Sequence, residues 1–288
     1  MPEKVYLIRS GDAYEGARSL LAKLRFSLRK KRVLIKPNLT VKASPQSGIT
    51  PDVGLGRAVL ERLEDCDVVI GDAGTEDTEG ALEEFGWNAL AREFGACTMD
   101  LNKDEVVWLD IPHPFHARRI PFAKTAVSCD YLINIAKLKI HSLATATLCL
   151  KNLFGCVPTR RHRLVLHPFI GKVTADIAQV IRSDLNLVDG IVGNELDEVA
   201  PHPVRSGILL AGRDALAVDV VGARCMGVEP NEVEYLRLLT ELRGLKQIEV
   251  IGERIEDVAQ AYRHTRPLST SLRYAYERAL SFLYRKLG

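Results

Sequence analysis

The sequence predicts an α/β protein whose mostly parallel central sheet carries helices on both faces, in Rossmann-like layering. Over most of the chain, apolar strand-like runs alternate with segments whose apolar residues recur at helical spacing. Polar and charged residues begin where several of these runs end, which is where open α/β sheets bind their ligands. We therefore expect a single α/β domain over residues 1–265, followed by an amphipathic helix over 266–288.

The composition is that of an ordinary globular protein, with 288 residues of which 47% are hydrophobic and 26% charged. A net charge of +2 argues against a general nucleic-acid binder. The apolar runs fall far short of the ~20 residues of a membrane span. The amino terminus lacks the apolar core of a signal peptide, so the cytoplasm is the default localisation. The six cysteines are scattered without C-x-x-C spacing, which argues against a zinc or iron–sulfur site.

Periodicity and turn residues place the elements of the first half of the chain. Alternating apolar residues predict strands, and apolar residues three and four apart predict helices. Thr50 followed by Pro51 has the N-cap and first-turn pattern of a helix start. The predicted strands are 4–9, 33–35, 66–70, 98–101, 105–111 and 119–121, and the predicted helices are 13–24, 53–63 and 78–94.

The second half continues the alternation. The predicted strands are 131–136, 185–195, 208–211 and 247–251, and the predicted helices are 173–181, 215–226, 231–242 and 255–262. A Ser/Thr/Ala-rich segment after residue 141 is compatible with a further helix that ends at Gly155. The leucines and arginines of the carboxyl-terminal segment predict a basic amphipathic helix. We favour its docking on the body or on a second subunit, as in a homodimer, over a membrane surface.

The most unusual stretch is 131–158, where cationic side chains flank a small-residue segment. Lys137, Lys139 and His141 follow an apolar strand, at a junction where a helix amino terminus would offer free N–H groups. The alternative interpretation is a solvated strand face. Lys151 and Asn152 favour an anion site, because they lie in an otherwise apolar helix end where a buried lysine needs an anionic partner.

Two other strand ends carry polar residues that suit the same site. Lys36 and Asn38 follow the strand 33–35 and flank a proline that cannot donate to a sheet ladder. Asp72 lies among glycines after the strand 66–70, where turn chemistry explains the glycines equally well. The long loop 40–54 has the composition of a lid or binding loop. No G-x-G-x-x-G motif is present, so no dinucleotide site is predicted.

Several acidic and basic residues later in the chain could complete such a site. Asp189 lies among glycines near a strand end, and Asp214 precedes a helix. Asp219 is embedded in an apolar helix, where a charge is costly unless it is paired, so we expect it to pair with one of the lysines. The basic run 160–163 is either a solvated loop or an extension of the cationic stretch toward a charged substrate or a protein partner.

The motifs together resemble the domain-of-unknown-function family numbered 362. The motifs are Val33–Asn38, Gly71–Gly74, Lys137–His141 with Thr145 and Thr147, Leu150–Gly155, Val188–Gly190 and Gly212–Asp219. The resemblance covers roughly residues 4–252 and is most specific over 137–155. Members of this family are often labelled iron–sulfur cluster-binding proteins because many carry a ferredoxin-like module. The clustered cysteines of that module are absent here, so we expect no iron–sulfur cluster in this chain.

These patterns lead to a hypothesis of a cytoplasmic α/β enzyme that binds a small anionic metabolite, a carboxylate or a phosphate. The expected general base is His141 or a lysine with a lowered pKa, Lys137 or Lys139. The alternative is a redox-partner or cofactor-handling module whose basic run 160–163 docks a separate acidic ferredoxin-like protein. A metal held by His141 and the acids is a third interpretation. The expected substrate-binding residues are Lys36, Asn38, Thr50, Asp72, Thr145, Lys151, Asn152, Gly155, Asp189, Asp214 and Asp219.

Overall fold

The computed structural model describes residues 1–264 together with Ala275 and Ala279. The predicted amphipathic helix over 266–288 lies, apart from those two alanines, outside the described residues. That helix and the domain boundary before it stay predictions.

The described residues form strands and helices that alternate along most of the chain. The strands are β1 Glu3–Arg9, β2 Leu28–Arg29, β3 Arg32–Pro37, β4 Leu63–Glu64, β5 Asp67–Asp72, β6 Cys97–Asp100, β7 Val106–Asp110, β8 Arg119–Ala123, β9 Tyr131–His141, β10 Thr145–Thr147, β11 Leu185–Asn194, β12 Pro203–Val204, β13 Ile208–Gly212 and β14 Ile248–Gly252. The α-helices are α1 Ala13–Lys23, α2 Val53–Leu60, α3 Thr78–Glu84, α4 Trp87–Phe94, α5 Lys124–Ser128, α6 Cys149–Asn152, α7 Arg160–Leu166, α8 Ile170–Ile177, α9 Ala215–Cys225, α10 Glu234–Arg243 and α11 Ile255–Val258.

One large sheet organises the molecule, in the strand order β14-β1-β13-β11-β9-β3-β5-β6. Strands β11, β9, β3, β5 and β6 run parallel to one another, and β1 runs parallel to β14. Strand β13 is antiparallel to both of its neighbours, and the short strands β10 and β12 add antiparallel hairpins. The predicted mostly parallel α/β sheet is confirmed.

Helices cover both faces of this sheet, because alternate strand residues pack into two separate apolar clusters. Helices α1 to α4 pack into the cluster that contains Ile133 and Ile135 of β9. Helices α5, α6 and α8 to α11 pack into the cluster that contains Leu138 and Ile140. Since side chains alternate along a strand, Lys137, Lys139 and His141 continue the row begun by Ile133 and Ile135, toward the carboxyl end of β9.

The helix predicted between residue 141 and Gly155 begins only at Cys149, as α6, because the chain first turns back as β10. Strand β10 pairs antiparallel with β9, so that Thr145 lies opposite His141 and Thr147 opposite Lys139. The pairing of β3 with β9 stops at Pro37, and the β11 register shifts after Asp189. The last residues of β9 therefore need another partner for their backbone hydrogen bonds, and β10 supplies it.

Three smaller predictions are also corrected. The helix predicted over 78–94 is two helices, α3 and α4, because Gly86 adopts a left-handed conformation with φ of +81° between them. The N-cap of α2 is Asp52, which accepts a hydrogen bond from the Gly54 N–H, and not Thr50. The basic run 160–163 is the first turn of α7, whose N-cap is Thr159.

Candidate functional site

A cavity of about 420 Å³ opens at the carboxyl ends of the parallel strands β3, β5 and β9. The polar ends of these strands meet there because neighbouring parallel strands finish at the same edge of a sheet. We call it the strand-end cavity. It is lined by Asn38, Thr40, Asp72, Ala73, Thr75, His141, Lys151, Asn152, Phe154, Gly155, Arg160, Arg163, Leu164, His167, Glu198 and Val199.

A buried polar network of Lys36, Asn38, Asp72, Asn134 and Asn152 adjoins the strand-end cavity, and its members Asn38, Asp72 and Asn152 line that cavity. The Lys36 ammonium is fully buried, 2.6 Å from Asp72 Oδ1 and 3.1 Å from Asn152 Oδ1. The Asn38 amide donates to the same Asn152 oxygen at 2.7 Å, and Asn152 Nδ2 donates to Asn134 Oδ1 at 2.7 Å. The network ties β3, β5, β9 and α6 together, which commits Lys36 and Asn152 to partners inside the protein.

Gly155 is required by the contact between this network and the turn after α6. A β-carbon at position 155 would overlap Asp72 Oδ1 and approach the Lys36 Nζ to 2.7 Å. The Gly155 carbonyl also accepts the Ala73 N–H at 3.1 Å, which holds the turn against the end of β5. A glycine therefore lets the backbone close over a buried ion pair.

Lys151 carries the buried cation of the strand-end cavity that is best placed to meet a ligand. The residue is 6% exposed and lines the cavity, and its ammonium has no hydrogen-bond partner among the described residues. Burial and, to a smaller extent, the positive charge of Lys36 lower the pKa of Lys151 to about 8, against the opposing effect of Glu198. The ammonium is therefore mostly charged at neutral pH, and its charge has little solvation.

Asp219 positions the short helix that carries Lys151. Its two carboxylate oxygens accept the N–H groups of Cys149 and Leu150, each at 2.8 Å. Burial raises the pKa of Asp219 to about 8, although these two hydrogen bonds act in the opposite direction. The partner of Asp219 is thus the free amino-terminal backbone of α6, and not the lysine that the sequence led us to expect.

His141 is a neutral hydrogen-bond donor in the wall of the strand-end cavity. Its Nδ1 accepts the N–H groups of Leu143 and Ala144 at 3.1 and 3.2 Å, so the ring proton is assigned to Nε2. Burial lowers the pKa of His141 well below its ordinary value. The Nε2 atom is buried without a hydrogen-bond partner in the part of the chain that the structure describes. Since Nδ1 is occupied, His141 can donate from Nε2.

Lys139 lies behind the cavity and joins two loops. Its fully buried ammonium donates to the carbonyl oxygens of Ile49, at 2.9 Å, and Glu198, at 3.1 Å. Burial, together with the positive charge of Lys151, lowers the pKa of Lys139 to about 7. Lys139 therefore holds the loop before α2 against the loop that supplies Glu198.

Lys137 belongs to a second, neighbouring cavity of about 290 Å³. It forms a buried ion pair of 2.8 Å with Asp189, whose carboxylate also accepts the N–H groups of Asp52 and Ile191. Arg205 and Asp52 lie in the wall of the same cavity. The pair joins β9 to β11 and to the start of α2.

Arg163 closes one side of the strand-end cavity. It is buried and donates to the carbonyl oxygens of Gly74 and Val157, at 2.7 and 2.8 Å, and to Asn102 Oδ1 at 2.7 Å. Burial lowers the pKa of Arg163. These contacts attach α7 to the loop after β5.

Comparison with known proteins agrees with the motifs. Residues 33–224 match the model of the family described as Domain of unknown function (DUF362). The chain belongs to this family. The Thylakoid-associated protein sll1697 of Synechocystis sp. is 31% identical over 255 residues, which are 81% of this chain and 77% of that protein. The lactate racemase apoprotein from Thermoanaerobacterium thermosaccharolyticum superimposes with a TM-score of 0.46 at 13% identity, over 83% of this chain and 57% of that one.

The motifs that this DUF362 protein shares with its family supply much of the site. The strand-end cavity and its network bring together seven of the predicted residues: Lys36, Asn38, Asp72, His141, Lys151, Asn152 and Gly155. Lys139 lies behind them, and Lys137 and Asp189 line the neighbouring cavity.

Four predicted site residues of this DUF362 protein lie outside the strand-end cavity. Thr50 donates to the Ala43 carbonyl at 2.6 Å. Thr145 is the first residue of β10 and has a φ of +68°. Asp214 is the N-cap of α9, and Asp219 holds α6 from below. All four side chains form hydrogen bonds to backbone groups, locally for Thr50 and Asp214 and with distant segments for Thr145 and Asp219.

Sequence reasoning missed Glu198, Phe154, Leu164 and His167 as lining residues. Each has an ordinary local pattern, and only the folded chain brings it to the cavity. The basic run 160–163 indicated a cationic surface that includes Arg163, but nothing in the sequence of that run predicted that Arg163 is buried and its arginine neighbours exposed. Within residues 1–264, no cluster of three or more His, Cys, Asp or Glu side chains could hold a metal ion. The same range contains no helix long and apolar enough to cross a bilayer.

Proposed function

We propose that this DUF362 protein binds a small anionic metabolite, a carboxylate or phosphate, in the strand-end cavity. Lys151 would be the charged anchor and the His141 Nε2–H a second donor. The observation that carries the proposal is the Lys151 ammonium, buried at the cavity wall without a hydrogen-bond partner in the described chain. A buried charge is costly without a partner, and an anion in the cavity would provide one.

The charges around the strand-end cavity also favour an anion. Three cationic side chains line it, Lys151, Arg160 and Arg163, against the two carboxylates Asp72 and Glu198. One of those carboxylates, Asp72, is already paired inside the buried polar network. The excess of positive charge would therefore favour a ligand with at least one negative charge.

Proton transfer at this site would use Lys151 rather than the residues that the sequence suggested. Lys139 lies behind the cavity with its ammonium bonded to two carbonyls, and Lys137 faces another cavity. His141 has its acceptor nitrogen occupied, so it would polarise or orient a bound group. Lys151 anchors the anion in its charged form, and with a pKa near 8 it would donate a proton as a general acid.

Anion affinity is predicted to fall as pH rises above about 8. Binding requires the charged form of Lys151, and its lowered pKa means that the ammonium loses its proton there. Once the free site is deprotonated, affinity should fall about tenfold per pH unit. Titration calorimetry with acetate and benzoate between pH 6.5 and 9.5 would measure this, since both ligands keep their charge throughout. An affinity that stays level over this range would contradict the assignment of Lys151 as the anchor.

A second candidate function, docking of an acidic ferredoxin-like protein, is favoured by an exposed surface beside the cavity. Arg160 and Arg161 are exposed on the first turn of α7. Trp108 is 45% exposed, with the Arg119 guanidinium 5.8 Å and the His162 ring 5.6 Å from its ring centroid. Exposed aromatic and arginine side chains in one patch suit an acidic partner.

The double substitution Arg160→Glu, Arg161→Glu is predicted to weaken binding to a purified acidic ferredoxin-like protein at least tenfold. Reversing two rim charges replaces attraction by repulsion, and the difference should shrink at high salt. Surface plasmon resonance at two ionic strengths would measure it. Lys31→Glu, at the amino-terminal end of β3, is the matched control and should have little effect. If the wild type and the double variant bind the ferredoxin-like protein equally well, the proposed docking function is wrong.

A cytoplasmic location is part of the proposal. The relative from Synechocystis is named a thylakoid-associated protein, so association with a membrane is the alternative location. Fractionation of cells that express a tagged form of the present chain would separate the two locations.

A further inference from the structure

We infer that the ligand of the strand-end cavity is an amphiphilic carboxylate with an apolar body, and not a hydroxylated sugar acid or sugar phosphate. This inference rests on the proposed anion-binding function and specifies its substrate class. Ala73, Phe154, Leu164 and Val199 supply an apolar wall to a cavity that the cations Lys151, Arg160 and Arg163 also line. An anionic head would meet the cations while the rest of the ligand packs against this wall.

The spacing of Lys151 and Phe154 sets the distance between head and body. Phe154 follows Lys151 by three residues in the continuous helical segment formed by α6 and the 3₁₀ turn Leu153–Cys156. Residues three apart on a helix lie on the same side, about 5–6 Å apart. A group attached within a few bonds of the anion would therefore reach the Phe154 ring.

A row of rings extends this wall from the polar end to the apolar end. The His167 ring centroid lies 5.6 Å from that of His141 and 6.1 Å from that of Phe154, with interplanar angles of 46° and 51°. A ligand held by the His141 Nε2–H would lie along this row. Aromatic walls favour flat or apolar groups.

Most polar side chains that line the cavity already form hydrogen bonds or ion pairs within the protein, which disfavours a polyhydroxylated ligand. Asn38 and Asn152 bond each other, Asp72 is paired with Lys36, and Arg163 bonds two carbonyls and an amide. A hydroxylated ligand would lose bonds to water that these groups are poorly placed to replace. Hydroxyl groups would therefore weaken binding.

The size of the strand-end cavity requires a body beyond the anionic group. Its volume of about 420 Å³ corresponds to roughly fourteen waters at their volume in the liquid. Acetate or inorganic phosphate would fill only a small part of it. An apolar body would displace water from the apolar wall and gain affinity in proportion to the area covered.

Calorimetric titration with acetate, butyrate, hexanoate and 3-phenylpropanoate tests the inference, with gluconate as the control. Gluconate has the chain length and charge of hexanoate but carries five hydroxyl groups. We expect the dissociation constant to fall about fourfold per added methylene group and gluconate to bind no better than acetate. In Leu164→Ala and Phe154→Ala, the gain in affinity per added methylene group should shrink relative to the same gain in the wild type. Leu164 is only partly buried, so its variant tests the wall even where Phe154→Ala folds poorly.

The outcomes distinguish this inference from the function on which it rests. If acetate and gluconate bind as well as hexanoate and all require Lys151, the anion site stands and the apolar-body inference is overturned. If none of the carboxylates binds, the inference is overturned, and a titration with inorganic phosphate and phenyl phosphate then decides whether the proposed anion site stands or falls with it. Chain-length-dependent binding that Leu164→Ala leaves unchanged would place the apolar body away from this wall and also overturn the inference.

Discussion

Replacing Asp72 with Asn is expected to lower the free energy of unfolding by about 3–5 kcal/mol, because it leaves a fully buried ammonium without its counter-charge. The Lys36 and Asp72 side chains are 0% and 3% exposed and 2.6 Å apart. Asp72 also accepts the Leu39 N–H at 2.7 Å, a bond that the amide would keep only in one orientation. Urea denaturation at pH 7 would measure the loss.

Replacing both partners separates the cost of breaking the ion pair from its net contribution. The double variant Lys36→Met, Asp72→Leu removes both buried charges and should recover much of the stability lost in Asp72→Asn. Glu79→Gln serves as the surface control, since it breaks the exposed 2.7 Å pair with Lys103 and should change stability little. A loss in Asp72→Asn no greater than in Glu79→Gln would show that the pair does not hold the strand ends together.

Replacing Lys151 with Met is expected to weaken acetate and benzoate binding at least about 30-fold while it stabilises the free protein. The affinity falls because a desolvated charge pair across the binding contact is lost, which costs about 2–5 kcal/mol. The stability at pH 7 rises because the pKa near 8 reports an unfavourable buried charge, of the order of 2–3 kcal/mol. If Lys151 served only to stabilise the fold, replacing it would make the protein less stable. Weaker anion binding together with higher stability would therefore identify Lys151 as a ligand-binding residue.

The pH dependence of stability gives this variant a second readout. A lysine whose pKa is lower in the folded than in the unfolded protein decreases the free energy of unfolding at pH values below its folded-state pKa. This destabilisation disappears as the pH rises toward the unfolded-state pKa of about 10.4. Wild-type stability should therefore gain a contribution from Lys151 between about pH 8 and 10.4, and Lys151→Met should lack it. Lys172→Met, on the exposed side of α8, is the control and should match the wild type in affinity and pH dependence. Unchanged anion affinity in Lys151→Met would place the ligand elsewhere.

Local patterns were enough to predict most of the elements and the edge of the sheet where the polar residues gather. Strand β9 illustrates this success, since its apolar run and the cations after it were visible in the sequence. The same strand shows the limit, because its length and its hairpin partner β10 depend on where β3 and β11 stop pairing. Those stopping points are properties of neighbouring strands, which periodicity within one segment does not report.

The sequence by itself determined the α/β class, the family and the strand ends at which charged residues would accumulate. Only the tertiary structure decided which of those charges are neutralised inside the protein and which meet the cavity. Lys36 and Lys151 look equivalent in sequence, yet one faces Asp72 at 2.6 Å and the other faces the cavity. The physical reason is that an alternating or helical pattern depends on adjacent residues, whereas the partner of a buried charge comes from a segment distant in the chain and is known only once the strands are in register.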